Sequence, residues 1–178
     1  MSTILIVDDE KNILKSLSLE LQQSEGYNVL TASDGISALE LLVSTDVDLV
    51  MLDVIMPDMN GIEVLRKIKE LRPKVPVIMM SAQGTFEMAV NATKLGAYDF
   101  IEKASLDLDP ILVKIRNAIA FYKLEKENTE LRQKLNEKYN MVGSSLAMQE
   151  VYAQIERAGP SEGRVLIYGE NGTGKELV

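Results

Sequence analysis

Asp8, Asp9, Asp53, Ser81 and Lys103 each stand at, just after or within a few residues of the end of a short apolar run, the runs being residues 4–7, 49–52, 75–80 and 98–101. If those runs are neighbouring strands, the five side chains share one sheet edge. Three carboxylates crowded together repel one another, and a divalent cation is the natural remedy. Mg²⁺ suits such a place, because it takes a few carboxylates, waters and a phosphate oxygen. Lys103 adds a positive charge and Ser81 a hydroxyl donor. The set describes a place to hold a phosphoryl group on a carboxylate, with a nucleophile, a metal, a cation and a hydroxyl. Each residue alone has a plainer reading: Asp8 or Asp9 could cap a helix starting near Glu10, and a lysine after a strand is usually a surface residue. Four separate strand ends all carrying the required chemistry argue for the combined reading.

A second constellation lies at residues 169–176: Gly169, Glu170, Asn171, Gly172, Thr173, Gly174, Lys175 and Glu176. Glycines let backbone N–H groups cradle phosphates while Lys175 neutralises them, as in the phosphate loop G-x-x-x-x-G-K. The general pattern continues with Ser or Thr, where this chain has Glu176.

These groups need elements to position them. Apolar runs and amphipathic stretches alternate five times, with a further run at residues 27–30. Ile13, Leu14, Leu17 and Leu21 share one helical face; so do Ala38, Leu41 and Leu42, and Ile62, Leu65, Ile68 and Leu71. Residues 85–95 carry Phe86, Ala89, Val90 and Thr93 on one side. A fifth helix begins near Asp109 and Pro110 and shows no stop until about residue 140. Five βα units predict an α/β fold: a five-stranded parallel, doubly wound sheet of flavodoxin-like strand order 2-1-3-4-5. The carboxylates then fall where the strand order reverses, the expected ligand site in such a fold.

From Phe121 the helix changes spacing. Phe121, Leu124, Asn128, Leu131 and Leu135 give an a/d seam flanked by Glu125, Lys126, Glu127, Glu130, Arg132 and Lys134. The expectation is a coiled-coil linker making a homodimer; a single solvated helix remains the alternative. Ser144 and Ser145 offer a cap for a helix with Met148, Val151 and Ile155 on its face, and residues 165–168 read as a strand ahead of the glycine-rich loop. The expected division is 1–120, 121–139 and 140–178, the last a truncated P-loop α/β segment.

The totals narrow the classes. The 178 residues have a formal net charge of -8, with no cysteine and no histidine. The acidity argues against this chain gripping nucleic acid through its phosphates. Lack of histidine removes the commonest metal ligand and general base, leaving hard cations held by oxygen. A reducing cytoplasm fits the absence of cysteine, and the first residues look like neither a signal peptide nor a membrane span.

The first set of motifs resembles the response-regulator receiver family: Ile4-Leu-Ile-Val-Asp-Asp-Glu10, Leu52-Asp-Val-Ile-Met-Pro-Asp-Met-Asn-Gly61, Ser81-Ala82 and Gly96-Ala-Tyr-Asp-Phe-Ile-Glu-Lys103. The resemblance implies that Asp53 accepts phosphate from a sensor histidine kinase. It implies that Asp9 binds Mg²⁺ directly, that Asp8 helps through water, and that the Ile55 backbone carbonyl completes the metal site. It makes Ser81 and Phe100 a switch pair and puts Lys103 on the phosphate. One departure is Ala104, where the family usually has Pro.

The tail, Val142-Gly-Ser-Ser and Val165-Leu-Ile-Tyr-Gly-Glu-Asn-Gly-Thr-Gly-Lys-Glu176, resembles the opening of the sigma-54-activating ATPase domain; Asn171 is a mild departure. That order of parts is similar to the nitrogen-regulation NtrC class, its NtrX branch above all. The resemblance implies the regulatory portion of a sigma-54-dependent activator. ATP would bind in a full-length parent, and sigma-54 polymerase and DNA would be met through regions outside this chain. Two alternatives stand beside it: a stand-alone receiver adaptor, and a working ATPase, against which the shortness of the P-loop segment speaks.

Overall fold

The computed structural model describes every residue except 58, 83–84, 104–107, 139–140, 142, 161–162, 173 and 178; for Phe86, Leu108, residues 134–138 and Glu176 it describes the backbone alone. The chain forms two compact units, Met1–Lys126 and Glu127–Val178.

The first unit alternates strand and helix: β1 Thr3–Val7, α1 Lys11–Glu25, β2 Asn28–Ala32, α2 Gly35–Ser44, β3 Leu49–Asp53, α3 Gly61–Leu71, β4 Val77–Ser81, α4 Phe86–Lys94 and β5 Asp99–Glu102. Helix α5, Leu108–Lys138, follows. All paired strands are parallel and their order is β2-β1-β3-β4-β5, as the pattern predicts. Strand side chains alternate between faces. Ile4, Ile6, Leu49, Met51, Ile78 and Met80 pack with Leu14, Leu17 and Leu21 of α1 and with Ile111, Ile115 and Ile119 of α5. Leu5, Val7, Val50, Leu52, Val77 and Met79 pack with α2, α3 and Ala92 of α4. β3 and β4 are buried throughout, which explains their unbroken apolar composition.

Among the described residues of this unit, three helices start on a side-chain cap. Asp34 Oδ1 accepts from the Ser37 N–H at 2.8 Å, Asn60 Oδ1 from Ile62 N–H at 2.9 Å, and Thr85 Oγ1 from Met88 N–H at 3.3 Å. The helical faces differ in detail from the expected ones. In α3 the core residues are Val64, Leu65 and Ile68, while Leu71, the last residue of the helix, is 51% exposed. Among the described side chains of α4 the buried one is Ala92, flanked by the half-buried Met88 and Leu95; Thr93 is exposed and donates to the Ala89 carbonyl at 2.9 Å.

In α5, Ile115, Ala118, Ile119 and Tyr122 form one stripe against the first unit's core. Lys114 ties the helix to β5, with its ammonium 2.7 Å from Asp99 and 3.3 Å from the Phe100 carbonyl. Phe121, about two turns beyond Lys114, meets the Tyr98 ring at 6.2 Å between centroids. Below the sheet Asp46 pairs with both Arg72 and Lys126 at 3.4 Å.

In the second unit α6 spans Leu146–Ala158, and Ser145 caps it by accepting from the Met148 N–H at 3.3 Å. The expected strand at residues 165–168 does not form. A strand exists through its ladder, and among the described residues of this unit no second strand offers one.

Gly61, the first residue of α3, lies against the backbone of β3. A Cβ there would stand 1.9 Å from the Asp53 carbonyl oxygen and 2.9 Å from Val54 Cα. Backbone cannot step aside as a flexible side chain can. Gly61→Ala is expected to cost about 1–3 kcal/mol, in the range of an overpacked core, read as a lower urea midpoint. An unchanged midpoint would show that the contact relaxes freely.

Candidate functional site

Register makes the site. Val7 pairs with Leu52, so Asp8 and Asp53, one residue further along each strand path, emerge side by side. Asp53 pairs with Met80 and Ser81 with Glu102, which brings the ends of β4 and β5 to the same edge. The Val54 N–H donates to the Met80 carbonyl at 2.8 Å and Gly61 N–H to the Val54 carbonyl at 2.9 Å, fixing the backbone just past Asp53.

Carboxylate oxygens of Asp8, Asp9 and Asp53 lie within 4.8 Å of one another. Asp8 is 0% exposed and Asp53 3%, whereas Asp9 faces solvent. Lys103 enters this cluster from beyond β5, its ammonium 2.7 Å from Asp8 Oδ2, 2.9 Å from Asp53 Oδ2 and 3.4 Å from Glu10 Oε1. The Asp8 pairing is one of charge: its angle leaves the buried Oδ2 without a directed hydrogen bond among the described residues. Asp8 Oδ1 accepts from the Glu10 N–H at 3.0 Å.

Burial pushes the Asp53 carboxyl above its ordinary range; Lys103 and the Ile55 N–H, which hydrogen-bonds the carboxylate, pull it back, and Asp8 adds to the rise. For Lys103 burial works against the charge, but Asp8 and Asp53 outweigh it and hold the amine protonated above its ordinary value. A buried carboxylate pair on one ammonium, with an oxygen lacking a directed partner, is a donor set that fits a small hard cation. Asp8, Asp9 and Asp53 could hold such a cation.

Ser81 is fully buried at the end of β4. Phe100 pairs with Met79, so its side chain and that of Ser81 lie on the same face of the sheet; Phe100 is half-buried there. The Ile55 side chain is 60% exposed beside Asp53. Ala104 lies outside the described residues.

The glycine-rich loop belongs to the second unit. Gly172 and Gly174 adopt φ of 82° and 80°, the left-handed region that glycine tolerates. Lys175 donates to the carbonyls of Gly169, at 2.7 Å, and of Glu170. Gly169, Glu170 and Asn171 are exposed, Thr173 lies outside the described residues, and the backbone of Lys175, Glu176 and Leu177 makes a 3-10 turn.

Two residues beside the carboxylates escaped the sequence reading. Glu10 touches both Asp8 and Lys103, and its signal was a third acidic residue directly after the pair. Gly61 packs on the Asp53 backbone, and its signal was glycine directly behind a helix-capping Asn60.

Residues 4–116 match the family described as "Response regulator receiver domain", and residues 141–178 match "Sigma-54 interaction domain". The nitrogen assimilation regulatory protein NtrX of Azorhizobium caulinodans is 41% identical over 176 residues, 98% of this chain and 38% of that protein. The crystal structure of NtrX from Brucella abortus superposes with a TM-score of 0.68 at 38% identity, covering 99% of this chain and 39% of the other. The response regulator protein TrrA of Thermotoga maritima, solved with Mg²⁺ and a beryllium fluoride, gives 0.60 at 34% identity over 66% of this chain and 99% of its own. The chain spans well under half the length of the curated relatives it matches. It belongs to the response regulator receiver family, with a segment matching the sigma-54 interaction domain behind its receiver domain.

Proposed function

We propose that this chain is the regulatory portion of a sigma-54-dependent transcriptional activator of a two-component system, working in the cytoplasm and switched by phosphorylation of Asp53. The observation that carries the reading is the Lys103 ammonium held on Asp8 and Asp53 within a three-carboxylate cluster. The receiver occupies residues 1–120, the linker 121–139, and 140–178 opens the ATPase domain.

In the proposed step a carboxylate oxygen of Asp53 attacks phosphorus on a phosphohistidine of the sensor kinase. The O–P bond forms as the N–P bond breaks, and the electron pair returns to the imidazole nitrogen, which is left free to take a proton. Asp8, Asp9, Asp53 and the Ile55 carbonyl would hold Mg²⁺, which when bound would supply positive charge for the phosphoryl oxygens. Lys103 exchanges a carboxylate for a phosphoryl oxygen. The Ser81 hydroxyl donates to another, and Phe100, on the same sheet face, follows the altered β4 end. Lys114 then links that change to α5, since it holds both Asp99 and the Phe100 carbonyl.

The same helix carries the linker. Phe121, Leu124 and Leu131 are 53%, 66% and 53% exposed, about half a turn away from the buried stripe of Ile115, Ala118 and Ile119. They form the seam of a parallel homodimer, with Asn128 at an a position and Glu127 facing Arg132 of the other chain. Lys175 rests on loop carbonyls here; in a complete ATPase domain it would turn to a nucleotide phosphate. Brucella abortus NtrX has been crystallised with ATP, which supports that reading.

Three outcomes test this. Incubated with acetyl phosphate and Mg²⁺, the chain takes label and Asp53→Asn takes none above background; equal labelling ends the assignment. Asp9→Ala weakens Mg²⁺ by roughly tenfold or more in calorimetry while its urea midpoint stays near the parent's, because Asp9 is a solvent-facing ligand. Unchanged Mg²⁺ affinity removes Asp9 from the metal site. In sedimentation equilibrium the parent dimerises and Leu124→Asp/Leu131→Asp does not; a double mutant that dimerises equally well rules out this seam.

A further inference from the structure

Helix α1 starts differently from its neighbours. Asp34, Asn60 and Thr85 each accept a first-turn N–H of α2, α3 and α4. Glu10, at the same place before α1, makes no side-chain capping bond. A capping Ser, Thr, Asp or Asn would help α1 by about 1 kcal/mol, so a glutamate there gives up local stability. Its carboxylate is turned to the site, Oε1 lying 3.4 Å from Lys103 Nζ, while its N–H is held by Asp8 Oδ1 at 3.0 Å.

Lys103 has three N–H donors. It faces three carboxylates, at 2.7 Å (Asp8), 2.9 Å (Asp53) and 3.4 Å (Glu10). The Asp8 and Asp53 side chains are 0% and 4% exposed, but that of Glu10 is 58% exposed. Glu10 is therefore the partner that can release Lys103 without leaving a charge stranded in the interior. It also places a further negative charge at the mouth of a site that must admit a cation and then an anion.

We infer that Glu10 is a positioning residue: it tethers Lys103 at the rim of the site, and its charge favours entry of the divalent cation while opposing the phosphoryl anion. The inference rests on Asp53 being the acceptor. A residue needed merely for packing would, when changed, weaken both ligands. A charge acts on cation and anion with opposite sign.

Glu10→Gln keeps size and an acceptor oxygen and removes the charge. Titrated with Mg²⁺ alone, it should bind about two- to fivefold more weakly than the parent, the scale of a solvent-exposed charge pair. Titrated with beryllium fluoride at saturating Mg²⁺, it should bind roughly two- to fivefold more tightly, and both differences should shrink in high salt. The urea midpoint should stay near the parent's. Affinities that fall together, or that do not move, overturn the inference while Asp53→Asn still abolishes beryllium fluoride binding. If Asp53→Asn binds beryllium fluoride as the parent does, the acceptor assignment fails and this inference falls with it.

Discussion

The site depends on one ammonium buried between two carboxylates. Lys103 reaches Asp8 and Asp53 at 2.7 and 2.9 Å where neither is in water. Removing one member of such a set typically costs about 3–5 kcal/mol, because the remaining charge stays buried without compensation. The parallel sheet makes the arrangement possible. Its strands all end on one side, so residues far apart in sequence meet at a single edge, and the helices on both faces keep that edge's base dry. Close approach of Gly61 to the Asp53 backbone then leaves Asp53 little room to wander.

Much of this was legible from the residue pattern. Five apolar runs, each trailed by an amphipathic stretch, gave the strand order, and strand ends carrying Asp, Ser and Lys pointed to the edge where they meet. The strands were legible because they are buried on both faces, so their composition is unmistakable. The buried faces of α3 and α4 are less legible. Spacing alone cannot tell the half-exposed Leu71 from the fully buried Ile68. Spacing puts Thr93 in a packed face, yet its hydroxyl serves the Ala89 carbonyl instead.

Residues 165–168 show the limit in another way. Val165, Leu166, Ile167 and Tyr168 have strand composition, but composition records a preference for a pleated, half-buried surface that some partner must supply. Here they are 58%, 74%, 40% and 84% exposed. Glu10 was missed for the opposite reason. A glutamate beside two aspartates reads as a solvated charge, and its role is visible only once a lysine ninety-three positions away is known to stand beside it.

Helix α5 carries two stripes: Ile115, Ala118, Ile119 and Tyr122 toward the receiver core, and an exposed one through Phe121, Leu124, Asn128 and Leu131. Their relation is an angle, and an α-helix keeps angles by counting residues. One residue inserted after Ile119 would turn everything downstream by about 100°, carrying the second stripe away from its direction; seven would return it to within about 20°. The length of this helix is therefore constrained in phase more than in distance. Relatives that lengthen or shorten it should do so in steps of whole heptads, because a change of one or two residues would re-aim whatever lies beyond it and pull Phe121 from Tyr98 and Lys126 from Asp46.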